Sequence, residues 1–339
     1  MSQDYLIIEP FVADALQARM LQAAFDMGII ETLEHTEQFS PADLLKGRDC
    51  DTAGGLFLVQ VLIRSGVLNS ERSQLQLTKQ FRDALKYRDL LTTKLSFSAL
   101  VADDYFSNMP QLLRSAEDFM SSSRLFELFD YGNCLDVTPG NCLQASRWMQ
   151  LTTMLTRYEA PVCHSHYDFH QHQRLLDVGG NSGEFALQIC RREPQLRATV
   201  VDLPVVCAVG ARHLQGEPEA DRIQFLPANM LDDPFPAGHD LITWKSVLHD
   251  WPDQHMQHLI QKTWQALPTA GRILIFERQK WDFSVEAMPY GLLPVMLFFR
   301  SYRTADQYCE VLHSAGFTDV AVQQIQLEVP FMLITARKP

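Results

Sequence analysis

The chain has 339 residues, 46% of them hydrophobic, and a formal net charge of -12 at pH 7. That length and apolar content can bury more than one core, while the acidic balance opposes a polyanionic partner such as nucleic acid or an acidic membrane and favours small-molecule chemistry. The seven cysteines (Cys50, Cys134, Cys142, Cys163, Cys190, Cys207 and Cys309) form no CxxC pair and are odd in number, so neither a metal site nor a disulfide framework is expected. Met1 to Pro10 lacks a basic region followed by an apolar stretch, and the apolar run Met288 to Phe299 is short and broken by Pro294. A cytoplasmic protein, neither exported nor membrane-spanning, is the expectation.

The first third reads as helical. Leu16, Met20, Ala23, Ala24 and Met27 recur at helical spacing, and Gly28 is placed to end the turn. Ser40-Pro41-Ala42-Asp43 supplies a cap, a first-turn proline and a first-turn acid for a second helix, and a third spans Thr52 to Ser65. Gly66-Val67-Leu68 and Leu75-Gln76-Leu77 flank a polar tip, Asn69 to Gln74, in the manner of a two-stranded wing. A winged helix ordinarily suggests DNA, but the helix that would enter the groove carries only Arg64 as a cation. It is better suited to burying a partner. From Leu90 to about Tyr167 the chain is again helical, with Trp148, Met149 and Met154 on a bulky apolar stretch.

After Gln173 short apolar strands alternate with helices: Arg174 to Val178, Ala198 to Val201, Asp240 to Trp244 and Arg272 to Phe276. Such alternation predicts an α/β fold with a doubly wound, Rossmann-like parallel sheet. Val320 to Val322 and Phe331 to Ala336 have no helix between them and predict a closing antiparallel pair. The organisation expected is a winged-helix domain over 1–100, a helical connector over 101–167 and a nucleoside-binding domain over 168–339.

Leu175 to Val178 runs into Gly179-Gly180-Asn181-Ser182-Gly183 and then into a helix from about Glu184 to Arg192. Glycines there permit positive φ and a close approach of backbone to ligand. The next strand ends in Asp202, where a carboxylate can accept two hydrogen bonds from a ribose diol. The pair suits any ribonucleoside cofactor. The order Gly-Gly-x-x-Gly departs from the Gly-x-Gly-x-x-Gly of dinucleotide binders, and Asp177 would oppose a diphosphate but favour an amino-acid ammonium.

Asp177-Val178-Gly179-Gly180, Asp202-Leu203-Pro204, Leu248-His249-Asp250-Trp251, Ala266-Leu267-Pro268 with Gly271, and Ala315-Gly316-Phe317 resemble the small-molecule S-adenosylmethionine-dependent O-methyltransferases typified by plant caffeate and animal hydroxyindole enzymes, with bacterial relatives in antibiotic and pigment pathways. The resemblance covers most of the chain and implies a class I methyltransferase domain, an N-terminal winged-helix domain that forms a homodimer, and a role in secondary metabolism. It implies that Gly179, Gly180 and Gly183 underlie the methionine part of S-adenosyl-L-methionine, that Asp202 with Leu203 meets the ribose, that Asn229-Met230 flanks adenine with Asn in place of Asp, and that Lys245 lies near the cofactor.

Methyl transfer to a hydroxyl needs the acceptor held in line and a proton removed, for which histidine is the natural base near neutral pH. His249, just beyond a strand on the ligand side of the sheet, resembles the family's catalytic base, and Glu277 one of the two glutamates that flank it. Where relatives have Glu-Arg-Thr the chain has Tyr302-Arg303-Thr304, so the second glutamate is missing. The segment Met288 to Tyr302, with Met296, resembles the lining of the acceptor pocket, and Trp148 and Met149 would close it. The substrate implied is a flat aromatic or polyketide-like molecule. Three alternatives stand beside it: a carbon or nitrogen acceptor or a non-methylating reaction on the same scaffold, a nicotinamide-dependent oxidoreductase, and a cofactor-sensing transcriptional regulator.

Overall fold

A computed structural model describes residues 3–35, 39–124, 131–281 and 288–339. The chain forms two compact units, one built from residues up to 110 with the segment ending at Leu297, the other from Gln111 onward without that segment. The backbone thus divides at 110 instead of 100, and the stretch to 167 belongs with the sheet; residues 125–130 of the expected helical region lie outside the described residues.

In the first unit, helices Ala15–Asp26, Pro41–Leu45 and Thr52–Arg64 each start on a side chain that accepts from the first turn: Asp14 from Gln17 N, Ser40 from Asp43 N and Asp51 from Gly54 N. Gly28 takes φ 67° just past the first helix, a conformation that costs glycine little. Strands β1 (Leu68–Glu71) and β2 (Gln74–Leu77) pair antiparallel with Leu68 opposite Leu77. The tip is shorter than the polar run Asn69 to Gln74: only Arg72 and Ser73 turn, at φ 51° and 64°, so the polar residues around them extend as solvent-facing strand. The described part of the later segment, 288–297, carries the short turns Tyr290–Leu292 and Leu293–Met296 and is tied to this unit by Tyr290 N donating to Ala13 O at 2.8 Å.

The second unit is a seven-stranded sheet in the order β5-β4-β3-β6-β7-β9-β8, where β3 is Arg174–Val178, β4 Arg197–Asp202, β5 Ile223–Pro227, β6 Leu241–Lys245, β7 Arg272–Arg278, β8 Thr318–Gln326 and β9 Pro330–Arg337. Strands β3 to β7 pair in parallel, and β9 pairs antiparallel with both β7 and β8, as the closing pair predicts. The central strands read as unbroken apolar runs because both faces are buried; Leu176, Ile242, Trp244, Ile273, Ile275 and Ile334 share one core. The edge strand β5 escapes sequence detection because it is mostly exposed and carries neither a run nor a clean alternation.

The chain winds outward from β3 to β4 and β5, then crosses to β6 and β7 on the other side. The winding therefore reverses between β3 and β6, and the crevice beyond the carboxyl ends of these strands is where such sheets take their ligands. Asp177, Asp202, Lys245, His249 and Glu277 all fall at that edge. Among the described residues no helix is long and apolar enough to cross a membrane, and no group of three or more acidic, histidine or cysteine side chains could hold a metal ion.

Candidate active site

Asp177 occupies the penultimate position of β3 and is buried. Its Oδ1 accepts from Thr243 Oγ1 at 2.8 Å, whereas its Oδ2 is sealed from solvent with no hydrogen-bond partner among the described residues. Burial without full compensation pushes its carboxyl up to about 7. The turn that follows is held to β4 by Gly179 N donating to Val201 O at 2.8 Å, and Gly179 and Gly183 take φ 66° and 75°. A Cβ on Gly180 would lie 2.5 Å from Asp177 Oδ2, and one on Gly179 would lie 2.8 Å from a Val247 methyl. Neither glycine therefore has room for a side chain.

Asp202 ends β4 and is also buried. Its two oxygens accept the Asn181 and Leu203 amides, each at 2.8 Å, which fixes the carboxylate's orientation and leaves lone pairs for a ligand. Burial outweighs these bonds and raises this carboxyl to about 6. Leu203 caps the helix Pro204–His213. Trp148 and Met149 pack against Leu203, Val205 and Val206, so the structure brings them beside the segment that follows Asp202. Met230 approaches the turn, its Cε 3.2 Å from where a Gly179 Cβ would stand. Asn229 is engaged within its own loop: its Nδ2 donates to Asp232 Oδ2 at 2.6 Å and its Oδ1 accepts from Leu231 N at 3.1 Å.

The long helix Pro139–His166 backs this edge with residues that sequence reasoning missed. Thr153 Oγ1 donates to Ser182 Oγ at 2.7 Å, Thr152 reaches Asn181 Oδ1 at 3.5 Å, and Thr156 accepts from Lys245 Nζ at 2.8 Å. The signal available was a threonine stripe in a helix otherwise lined with bulky apolar groups. Lys245 also pairs with Glu159 of the same helix.

Across the crevice, Glu277 on β7 is fully buried. Its Oε1 accepts the Val247 and Leu248 amides at 2.8 and 2.9 Å, and its Oε2 lies 2.8 Å from His249 Nδ1. The bond to Glu277 places the proton on Nδ1 and leaves Nε2 as the basic nitrogen. Asp250 Oδ1 stands 3.3 Å from that Nε2, an acid the sequence did not single out for this role. Burial works against a charged imidazolium, but Glu277 and Asp250 together outweigh it and raise the His249 pKa above its ordinary value. Tyr302 is buried with its ring 5.0 Å from the imidazole, and Phe298 stands edge-on at 5.5 Å. Met296 is buried within the other unit.

The arrangement is a glycine-lined turn with two buried carboxylates on one side and a carboxylate-oriented histidine on the other. Asp177's partnerless oxygen calls for a cation or donor, and Asp202 for hydroxyls. An ammonium-bearing nucleoside meets both demands and a diphosphate meets neither.

Comparison with known proteins agrees. The sequence profile of the O-methyltransferase domain matches residues 143–318. Among curated proteins, the 3-hydroxy-5-methyl-1-naphthoate 3-O-methyltransferase of Streptomyces sahachiroi is 32% identical over 152 residues, 44% of either chain. The demethylspheroidene O-methyltransferase of Rhodobacter capsulatus is 32% identical over 181 residues, 52% of this chain and 44% of that one. The chain thus spans less than half the length of these relatives. Human N-acetylserotonin methyltransferase, solved in complex with S-adenosylmethionine, shares the fold with a TM-score of 0.73 at 22% identity, over 95% of this chain and 94% of that one. With just over half its length matched by that profile, the chain belongs to the S-adenosylmethionine-dependent O-methyltransferase family.

Proposed function

We propose that this protein transfers a methyl group from S-adenosyl-L-methionine to a hydroxyl of a small aromatic or polyketide-like metabolite, with His249 as general base. The observation that carries the proposal is the His249–Glu277 pair at 2.8 Å, set across the crevice from the Asp177 and Asp202 carboxylates. When bound, S-adenosylmethionine supplies an electrophilic methyl group on a sulfonium. Asp177 would hold its ammonium, Asp202 with Leu203 its ribose, and the turn Gly179 to Gly183 its methionine backbone, with Met230 against adenine. Because the Asn229 side chain is bound within its own loop, adenine would be held here chiefly by apolar contact.

His249 Nε2 takes the acceptor's proton, and Glu277, fixed by two backbone amides, holds the ring and stabilises the imidazolium. Asp250, 3.3 Å from Nε2, adds a second anion to the protonated state. Since both carboxylates favour the imidazolium, the basic form of His249 accumulates only as pH rises through a value above 6.5. Trp148, Met149 and Tyr302 are the proposed acceptor lining. Homodimerisation through the N-terminal unit belongs to the proposal, supported by exposed Leu16, Leu56, Phe57, Leu100 and Phe106. The lack of a nucleic-acid partner fits the single cation, Arg64, on helix Thr52–Arg64, and a cytoplasmic location belongs to the proposal.

Tyr302 favours a second reading, transfer to carbon, nitrogen or an acidic enol, because a neutral phenol stands near His249 where relatives carry a glutamate. Labelled S-adenosylmethionine incubated with a panel of phenols, enols and amines separates these. Transfer to phenols that is lost in His249→Ala and improved in Tyr302→Glu supports oxygen transfer. Transfer to carbon or amines that is indifferent to His249 removes the base from the account.

A further inference from the structure

Beneath the imidazole lies a buried ionic chain. Glu159 on helix Pro139–His166 pairs with Lys245 at the end of β6 and with Arg278 Nη2 at the end of β7, the latter at 2.5 Å. The same Nη2 reaches Glu328 Oε1 at 3.2 Å, and the guanidinium lies over the Phe331 ring, 4.6 Å from its centroid. All four charged side chains are at least nine-tenths buried, so each must be held by the others. Arg278 Nη1 extends the chain by donating to Ser246 Oγ at 3.2 Å.

Ser246 is the junction. It adopts φ 54°, a left-handed conformation that a serine holds only when its surroundings impose it. Its amide donates to Phe276 O at 3.0 Å. The next two amides, Val247 and Leu248, are those that fix Glu277, and the residue after them is His249. The strained turn that aims the imidazole is thus pinned by Arg278, and Arg278 by Glu159.

We propose that Glu159 is a positioning residue for His249: through Arg278 and the Ser246 turn it ties the orientation and charge of the base to the long helix. The proposal rests on His249 serving as the base, although its test does not. Glu159 stabilises the base's surroundings by offsetting the Arg278 cation, whose charge disfavours the imidazolium. The groups facing His249 are Glu277 and Arg278 from β7, Asp250 from its own turn, and Tyr302 and Arg303 from the loop before helix Ala305–Ser314, Arg303 donating to Leu248 O at 2.9 Å. Those facing Arg278 are Glu159, Glu328 and Tyr302.

The test is a pH titration of histidine-labelled full-length protein by NMR, without acceptor, with the His249 signal assigned by its loss in His249→Gln. In Glu159→Gln the Arg278 charge is less offset, and the His249 midpoint should fall by roughly 0.5–1 unit. In Arg278→Gln the opposing cation is gone, and the midpoint should rise by about as much. Opposite shifts support the proposal, and if one variant does not fold the sign of the other still decides. Unchanged or same-signed midpoints, with only a lower melting temperature, would reduce the chain to a structural brace and overturn it. If the midpoints shift but turnover survives His249→Ala, the network stands and the catalytic reading falls.

Discussion

Two stretches of one sheet edge treat buried charge in opposite ways. At the ends of β3 and β4, Asp177 and Asp202 are buried with incomplete compensation, and their carboxyls rise to about 7 and about 6. At the ends of β6 and β7, Lys245 and Arg278 are buried but paired with Glu159 of the long helix, and Glu277 is held by His249 and two backbone amides. The first stretch is finished by its ligand and the second finishes itself. A site that must bind and release a cofactor keeps its anions short of partners, whereas one that would hold the proposed base through many turnovers is pre-organised by its own residues.

The largest break in this contrast comes from the self-sufficient side. His249→Ala should lower turnover by roughly 10²–10⁴-fold while leaving S-adenosylhomocysteine affinity unchanged, since in the proposed mechanism His249 serves the acceptor and not the cofactor. Turnover with labelled cofactor and calorimetry of the same preparation check the two halves. On the other side, Asp202→Ala removes a fixed acceptor pair and should weaken S-adenosylhomocysteine about 10–100-fold, the loss expected for charged hydrogen bonds, read as a dissociation constant.

Subtler is Glu277→Gln. With the first carboxylate neutralised, imidazolium loses its main stabilising charge, so the His249 midpoint should fall and the acidic limb of the pH–rate profile should move to lower pH, with a reduced plateau. A limb that stays in place would assign it to another group. Smallest is Asp177→Asn. The folded-state carboxyl sits at about 7 against an ordinary 3.8, so the folded protein holds a proton that the unfolded chain releases, and stability falls as pH rises between those values. Removing the titration should raise the melting temperature of the ligand-free protein at pH 7.5 by roughly 2–5 °C, with no gain below pH 4. Melting curves at the two pH values check it, and the same variant should bind S-adenosylhomocysteine more weakly.

The two stretches were also unequally legible in the sequence. The cofactor edge is local: an apolar strand, a glycine turn and a carboxylate at the next strand's end lie within Leu175 to Asp202, where spacing and residue type fix their geometry. His249 and Glu277 were readable through the resemblance because each sits at or just beyond a strand end. The residues that complete the catalytic edge come from far along the chain, Glu159 from a helix before the sheet and Glu328 from the closing hairpin, and no local pattern links them. Asp250 was hidden differently: its neighbour drew the attention, and only the fold shows its oxygen at Nε2. In the fold, the edge strand β5 and the two-residue tip at Arg72-Ser73 were missed because neither has the composition its geometry favours.

Whether the incomplete stretch awaits a nucleoside that carries an amino acid is tested most directly by calorimetric titration of the purified protein with S-adenosylhomocysteine, with NADH titrated in parallel. S-adenosylhomocysteine should bind, Asp202→Ala should weaken it, and NADH should give no heat. Binding of NADH in place of S-adenosylhomocysteine, or of neither, would contradict that reading.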